Sequence, residues 1–209
     1  MTFLVTSFPN GPWKQNCYIV SNPETRAVLL IDPGSDAPYI EKYLLNNDQT
    51  PIAILNTHAH FDHVGAVNDL MLNYKIPFYL NVADYKLLTQ ANLYKLLFGS
   101  KTSMVIPKPT NEFLTQMLKL DCFNISILFT PGHTPGSTCL QIGNNLFSGD
   151  TILPNGIGRT DLPGGDKIAM AESIELLKKL PTSITVWPGH GHSFTLGSFW
   201  DMAPYHELA

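Results

Sequence analysis

The sequence has few cysteines, and their spacing is not that of a paired set. Cys17, Cys122 and Cys139 are odd in number and far apart, and no Cys-x-x-Cys spacing occurs. This pattern predicts reduced, mostly buried thiols rather than a disulfide framework or a thiolate metal site. Reduced thiols are typical of a reducing compartment, so we expect a cytoplasmic protein.

Long apolar runs and clusters of positive charge are also missing. No run approaches the roughly 18 apolar residues that suggest a membrane span. The first residues lack the basic region of a signal peptide and instead predict a first strand. The 13 lysines and arginines are scattered among 17 acidic residues, which gives a net charge of −4. We therefore expect neither a membrane nor a nucleic acid as a partner.

The length and composition fit one domain with a sizeable core. The chain has 209 residues, of which 44% are hydrophobic, so residues 1–209 are predicted to form a single domain. Short β-rich runs alternate with helical patterns along it. The predicted strands are 17–21, 27–32, 52–56, 78–80, 125–129, 138–142, 145–148 and 184–187. The predicted helices are 37–45, 64–74, 83–98 and 167–180. A helical and loop insertion is expected at about 83–120, with a surface loop at 99–112.

Four of the apolar strand-like runs lead into residues that can bind metals. The first leads into a cluster of four such residues, and the other three lead into one each: His58, His60, Asp62 and His63, then His133, Asp150 and His190. A rigid sheet that projects side chains from its strand ends is a way to build a preorganised site. Histidine and carboxylate are ligands that zinc, iron and manganese accept. Because five of the seven histidines lie in these motifs, leaving only His192 and His206, the pattern indicates a dedicated metal site.

The segment Thr57-His-Ala-His-Phe-Asp-His63, followed by Val-Gly, resembles the signature of the metallo-β-lactamase superfamily, and the later ligands follow in the family's order. The resemblance runs from about Cys17 to His190. It implies an α/β fold, an αββα four-layer sandwich of two mixed β-sheets flanked by helices, with metals at one edge.

The resemblance also implies a set of two divalent metal ions, with zinc expected first and iron or manganese as alternatives. One ion would be bound by His58, His60 and His133, and the other by Asp62, His63 and His190. Asp150 would bridge the two ions. Asp62 would in addition be catalytic, because it could orient a metal-bound hydroxide or accept its proton.

The residues around Asp150 distinguish between branches of the superfamily. Many two-zinc β-lactamases have a cysteine near this point, whereas Cys139 lies eleven residues earlier, so a β-lactamase is disfavoured. The stretch 156–166 is similar to single-domain proteins of the glyoxalase II (hydroxyacylglutathione hydrolase) type. In that family a lysine at the position of Arg159 binds a carboxylate of glutathione. Arg159 is therefore predicted either to bind the substrate or to brace its loop by pairing with Asp161 or Asp166.

The resemblance implies a dinuclear hydrolase that cleaves a thioester, such as S-D-lactoylglutathione, with a metal-bound hydroxide, as a monomer or homodimer. One departure concerns glutathione: the chain ends 19 residues after His190, without the C-terminal helical domain that supplies glutathione contacts in two-domain members. Three alternatives stay open. They are a persulfide dioxygenase with one iron at residues matching His58, His133 and Asp150, a lactonase, and a metal-binding protein without activity.

Overall fold

Two mixed β-sheets form the centre of the computed structural model, which describes residues 3–202. The first sheet has the order β1-β2-β3-β4-β5, with β1 to β3 antiparallel and β3 to β5 parallel. Its strands are β1 (Leu4–Asn10), β2 (Gln15–Ser21), β3 (Ala27–Ile31), β4 (Thr50–Leu55) and β5 (Phe78–Tyr79).

The second sheet has the order β13-β12-β9-β8-β7-β6, and only β12 and β9 are parallel. Its strands are β6 (Met117–Leu120), β7 (Phe123–Phe129), β8 (Thr138–Ile142), β9 (Asn145–Gly149), β12 (Thr185–Pro188) and β13 (Phe194–Thr195). A separate small hairpin joins β10 (Ile152–Leu153) to β11 (Gly156–Ile157).

The seven α-helices are α1 (Ala37–Asn46), α2 (Phe61–Val64), α3 (Val67–Tyr74), α4 (Tyr85–Thr89), α5 (Ala91–Leu97), α6 (Lys167–Leu177) and α7 (Leu196–Trp200), counted over residues 3–202. A 3-10 turn at Val82–Asp84 precedes α4. Among the same residues, no helix combines the length and the apolar character that a membrane span requires.

Side-chain alternation along the central strands creates the layers. Every residue of β2 and β3 is buried, so both faces of these strands are covered. Ile19 and Leu30 belong to the cluster that includes α1 and α3, whereas Val20 and Leu29 belong to the cluster between the sheets. A third cluster joins the outer face of the second sheet to α6 and α7. Because successive side chains of a strand point to opposite faces, this pattern gives helix, sheet, sheet and helix layers and confirms the predicted αββα sandwich.

The predicted elements agree with the structure apart from their boundaries and two helices. The helix predicted over 64–74 is wrong as a continuous element, since α2 ends at Val64 and α3 begins at Val67. The N–H of Ala66 instead donates to the carbonyl of Pro33 at 3.0 Å. The helix predicted over 83–98 is likewise divided into α4 and α5 at Gln90, and the last predicted helix ends at Leu177.

Candidate metal centre

The sequence-predicted ligands converge on one edge of the sandwich, where loops follow the carboxyl ends of four strands. The loop after β4 and the start of α2 hold four of them, and the loops after β7, β9 and β12 hold one each: His58, His60, Asp62 and His63, then His133, Asp150 and His190. Residues more than 120 positions apart in the chain therefore lie side by side, as the 3.3 Å between Oδ2 of Asp62 and Nε2 of His190 shows. His192 is exposed and His206 lies outside the described residues.

Three histidines form the first group of donors. Nε2 of His58 lies 3.1 Å from Nδ1 of His60, and Nε2 of His133 lies 2.9 Å from that same Nδ1. Burial, followed by the positive charge on neighbouring histidines, lowers the pKa of His58 well below its usual value and that of His60 to about 3. The imidazoles of His58 and His60 are therefore neutral at physiological pH, and the donor atoms of the three histidines all lie within 4.8 Å of one another.

The second group of donors combines a carboxylate with two histidines. Oδ2 of Asp62 lies 3.3 Å from Nε2 of His190 and 4.0 Å from Nε2 of His63. The three donor atoms of this group lie within 4.8 Å of one another. Burial raises the pKa of Asp62, but the adjacent His63 and His190 outweigh it and hold that pKa below its usual range. Asp62 is thus an anion that faces the cleft.

Asp150 lies between the two groups. Its Oδ2 is 3.5 Å from Nε2 of His133 in the first group and 3.8 Å from Nε2 of His190 in the second. Its other oxygen, Oδ1, is buried, lies 3.7 Å from Nε2 of His63 and has no hydrogen-bond partner among the described residues. A carboxylate in this position can contact cations in both groups at once.

A buried carboxylate behind the site fixes the rings of both groups. Oδ2 of Asp32 accepts from Nδ1 of His63 at 3.0 Å and from the hydroxyl of Thr57 at 2.6 Å. Because that hydroxyl proton is used by Asp32, the Thr57 oxygen accepts from Nδ1 of His58 at 3.0 Å. The carbonyl of Arg159 accepts from Nδ1 of His133 at 2.7 Å in the same way. In metal sites a ligating histidine almost always donates its other N–H to a carboxylate or carbonyl.

The environment of His63 shows that the site suits a cation. Its Nε2 is buried and lacks a hydrogen-bond partner among the described residues. Burial lowers the pKa of His63, but the carboxylates of Asp32, Asp62 and Asp150 together raise it to about 9. The surroundings therefore favour positive charge next to this atom. Two neutral imidazoles (His58 and His60), the anionic Asp62, and the buried atoms Nε2 of His63 and Oδ1 of Asp150, which lack partners among the described residues, form a donor set that divalent metals accept. The residues therefore fit the metals that the sequence predicts.

Asp84 holds together the two loops that carry the first group. Its buried Oδ2 accepts from the N–H of Ala59, between His58 and His60, at 2.9 Å and from the hydroxyl of Thr134 at 2.8 Å. Its Oδ1 accepts from the N–H of Gly136 at 2.6 Å. Three donors on one carboxylate tie the loop after β4 to the loop after β7.

Glycine directly precedes two of the predicted ligands, and each position requires glycine for a different structural reason. Gly132 precedes His133 and has a φ of +140°, which L side chains rarely adopt. Gly189 precedes His190 without a positive φ, but a β-carbon there would collide with Oδ1 of Asp150 and lie 2.8 Å from Cε1 of His63. The first Pro-Gly turn thus needs glycine for its backbone dihedral, while the second needs it for close approach.

A cleft of about 260 Å³ opens above the donor atoms, and the predicted insertion contributes to its lining through Leu87, Tyr94 and Phe98. Arg159 also lines it. In the structure the guanidinium of Arg159 donates two hydrogen bonds of 2.9 Å to Asp161, whereas Asp166 caps α6 by accepting from Ile168 and Ala169. The loop-bracing pair with Asp161 is therefore present, and substrate binding by Arg159 stays a prediction.

The sequence analysis missed the two supporting carboxylates and Thr57 as an orienting residue. Asp32 directly follows the apolar strand β3, which is the same signal that identified the ligands, so the pattern could have found it. Asp84 lies at the end of a 3-10 turn inside the insertion, and nothing in its local sequence indicates that it contacts loops from two other parts of the chain.

The fold and the donor set define a metallo-hydrolase. The family model of the metallo-β-lactamase superfamily matches residues 10–190, and the chain belongs to this superfamily. The probable metallo-hydrolase YqgX of Bacillus subtilis is 35% identical, with 94% of each chain covered. The hydroxyacylglutathione hydrolase GloC of Haemophilus influenzae is 33% identical, with 90% of this chain and 91% of that protein covered.

Solved structures give the same result. The crystal structure of BLEG-1, named a B3 metallo-β-lactamase, is 36% identical with a TM-score of 0.88, covering 96% of this chain and 98% of that one. The crystal structure of TTHA1623 in a di-iron-bound form is also 36% identical, with a TM-score of 0.81 and coverage of 94% and 96%. These similarities identify a metal-dependent hydrolase of the superfamily.

Proposed function

We propose that the chain is a dinuclear metal-dependent hydrolase that cleaves a thioester, and that an S-acylglutathione such as S-D-lactoylglutathione is the first substrate to test. The observation that carries this proposal is the position of Asp150, whose Oδ2 lies within 3.8 Å of donors from both groups. The likeness to GloC supports the choice of a glutathione thioester.

In the proposed reaction, water adds to the thioester carbonyl carbon, the carbon–sulfur bond breaks, and a carboxylic acid and a thiol are released. Divalent metals held by the two donor groups would lower the pKa of water and polarise the carbonyl. The chain supplies the rest. Asp62, an anion at the floor of the cleft, accepts the proton of the attacking water. Asp32 and Asp84 hold the donor loops in place.

Two metals are favoured over the single iron of a persulfide dioxygenase by the completeness of the second group. A mononuclear site of the dioxygenase type needs only His58, His133 and Asp150. Here the ligand atoms of Asp62, His63 and His190 also lie within 4.8 Å of one another.

The similarity to BLEG-1 makes a β-lactam the natural comparison substrate, because opening of its ring would use the same metal donors. A lactone serves the same purpose for the lactonase alternative.

The test combines metal content with turnover. Elemental analysis of the anaerobically purified protein should give about two metals per chain. The protein should cleave S-D-lactoylglutathione faster than nitrocefin or a lactone. Asp62→Ala and Asp150→Asn should each lower turnover by about 100-fold or more, because each removes a donor of the centre.

Asp69→Asn is the matched control, since Asp69 is exposed on α3, away from the donors. Its metal content and turnover should equal those of the parent protein. About one iron per chain together with no thioester cleavage would contradict the proposal and direct the search to persulfide oxidation. Two metals with cleavage of nitrocefin alone would contradict the choice of a thioester.

A further inference from the structure

The lining of the cleft is apolar apart from the metal donors and one arginine. The donors form its floor. The other lining residues come from the β1–β2 turn, from α2, α4, α5 and the residue that follows α5, from β10, and from the segment after β11. A small number of polar groups at the reacting centre within an apolar lining is the usual composition of a small-molecule site.

Four aromatic residues line the cleft, and we call them the aromatic wall: Trp13, Phe61, Tyr94 and Phe98. The rings of Trp13 and Phe61 meet edge to face with centroids 4.8 Å apart, and Phe61 and Phe98 are tilted at 5.7 Å. Phe61 lies between His60 and Asp62 in the chain, so the wall begins directly beside both donor groups. Phe98 is 49% exposed. Its ring is therefore accessible within the cleft that contains the metal donors, where an apolar ligand could cover it.

The aromatic wall itself offers no charged partner to the glutathione part of a substrate. Glutathione carries two carboxylates and one ammonium group at neutral pH. Apart from histidines, Arg159 is the one cationic side chain in the described lining, and its charge is already paired with the carboxylate of Asp161 through two hydrogen bonds. A charged tripeptide placed against the aromatic wall would lose its hydration without gaining partners, which is unfavourable.

The size of the cleft points to the part of the substrate that it encloses. Its volume of about 260 Å³ is below the roughly 300–1,000 Å³ of sites for drug-sized ligands. Biological thiol carriers are long and polar, so they would extend into solvent. A compact acyl group, attached directly to the carbonyl carbon at the donors, can lie fully inside.

We infer that the aromatic wall binds the acyl part of the substrate, and that this protein prefers thioesters with an aromatic or branched apolar acyl group over those with a small polar one such as lactoyl. This inference rests on the proposed thioester hydrolase activity. It identifies Trp13, Phe61, Tyr94 and Phe98 as specificity-determining residues, with the thiol part contributing little to selection.

Matched thioesters of one thiol test the inference in the metal-loaded protein. Phenylacetyl, acetyl and D-lactoyl thioesters of N-acetylcysteamine differ only in the acyl group. We expect kcat/KM for phenylacetyl to exceed that for lactoyl by about tenfold or more, in line with the discrimination that apolar pockets achieve. Phe98→Ala should reduce this ratio several-fold, mainly by raising KM for phenylacetyl.

Leu97→Ala is the matched control, because Leu97 is the neighbour of Phe98, is 69% exposed and does not line the cleft. It should keep the ratio of the parent protein. Equal kcat/KM for the three thioesters, or a ratio unchanged by Phe98→Ala, would overturn the inference while leaving the hydrolase activity established.

A binding measurement separates failure of this inference from failure of the proposed function. Calorimetry with phenylacetate and D-lactate, the product acids, should show tighter binding of phenylacetate and a loss of that difference in Phe98→Ala. If none of the thioesters is cleaved but this Phe98-dependent preference is found, the proposed activity is wrong and the apolar site stands. Equal affinity for the two acids would count against the site itself.

Discussion

The carboxylate of Asp32 accepts a hydrogen bond from Nδ1 of His63 at 3.0 Å, across 31 positions of sequence. Both groups are buried, with side-chain exposures of 1% and 0%. The same carboxylate accepts from the hydroxyl and the backbone N–H of Thr57, and Thr57 in turn contacts His58. One buried carboxylate thus orients a ring in each donor group, directly for His63 and through Thr57 for His58.

Replacing Asp32 should weaken metal binding in both groups. The N–H and hydroxyl of Thr57 and Nδ1 of His63 all donate hydrogen bonds to its two oxygens. The side chain of Asp32→Asn has only one acceptor oxygen, so it cannot accept all three. We expect the affinity for zinc to fall about 10- to 100-fold, the usual effect of losing such a supporting contact. Competition with a chromogenic chelator measures the affinity.

Asp36→Asn provides the control for this change. Asp36 is exposed and caps α1 by accepting from the N–H of Tyr39, a contact that an asparagine oxygen preserves. Its zinc affinity should be that of the parent protein. If Asp32→Asn retained the parent affinity, the orienting role of the carboxylate would be excluded.

The seven predicted ligands could be located from sequence because each follows an apolar strand, and strand ends that share a sheet edge are neighbours in space. What the sequence could not provide is the contacts between loops. Asp84 contacts Ala59 and Gly136, which lie 25 and 52 positions away, and no local pattern encodes such a pairing. The same holds at the break in the helix predicted over 64–74, where the N–H of Ala66 donates to the carbonyl of Pro33, a residue distant in sequence.

Asp84 should contribute to the stability of the folded protein and to the alignment of the first donor group. Asp84→Asn replaces an acceptor oxygen by an amide that faces a donor, which leaves a buried N–H or hydroxyl without a partner. Such a loss costs about 1–3 kcal/mol. For a chain of this size the corresponding fall in Tm is about 2–4 °C for each kcal/mol. Calorimetric unfolding of the metal-free protein measures it.

A second measurement distinguishes alignment from stability alone. At a temperature where both proteins are fully folded, Asp84→Asn should release zinc to a chelator faster than the parent, because Ala59 lies between two proposed ligands. Asp69→Asn, on the exposed side of α3, should change neither value appreciably. An unchanged Tm in Asp84→Asn would show that the three hydrogen bonds contribute no net stability.

The cysteines should differ in reactivity, because two of them are buried and one is partly exposed. Burial, and then the nearby Asp32 carboxylate, raises the pKa of Cys17 far above its usual value, and burial raises that of Cys139 to about 11. Since only the thiolate reacts, iodoacetamide at pH 8 should modify Cys122 alone in the native protein. All three should react after denaturation. Peptide mass spectrometry identifies the sites, and rapid native modification of Cys17 would contradict the burial argument.

Gly189 should be the least replaceable residue of the loop that carries His190. A β-carbon at this position would clash with Oδ1 of Asp150 and lie 2.8 Å from Cε1 of His63. Gly189→Ala must therefore displace either Asp150 or the loop that carries His190. Overpacking of this kind costs about 1–3 kcal/mol, and here the displaced atoms are those proposed to bind metal. Elemental analysis should therefore show a loss of metal from both groups.

Gly197→Ala is the control for this change. Gly197 lies in α7, and its added methyl group would lie 3.2 Å from Cβ of Thr182, a contact that a small shift relieves. Alanine also favours a helix more than glycine does. Full metal content in Gly189→Ala would mean that Asp150 and the loop of His190 can shift without loss of metal, and the requirement for close approach at Gly189 would then be wrong.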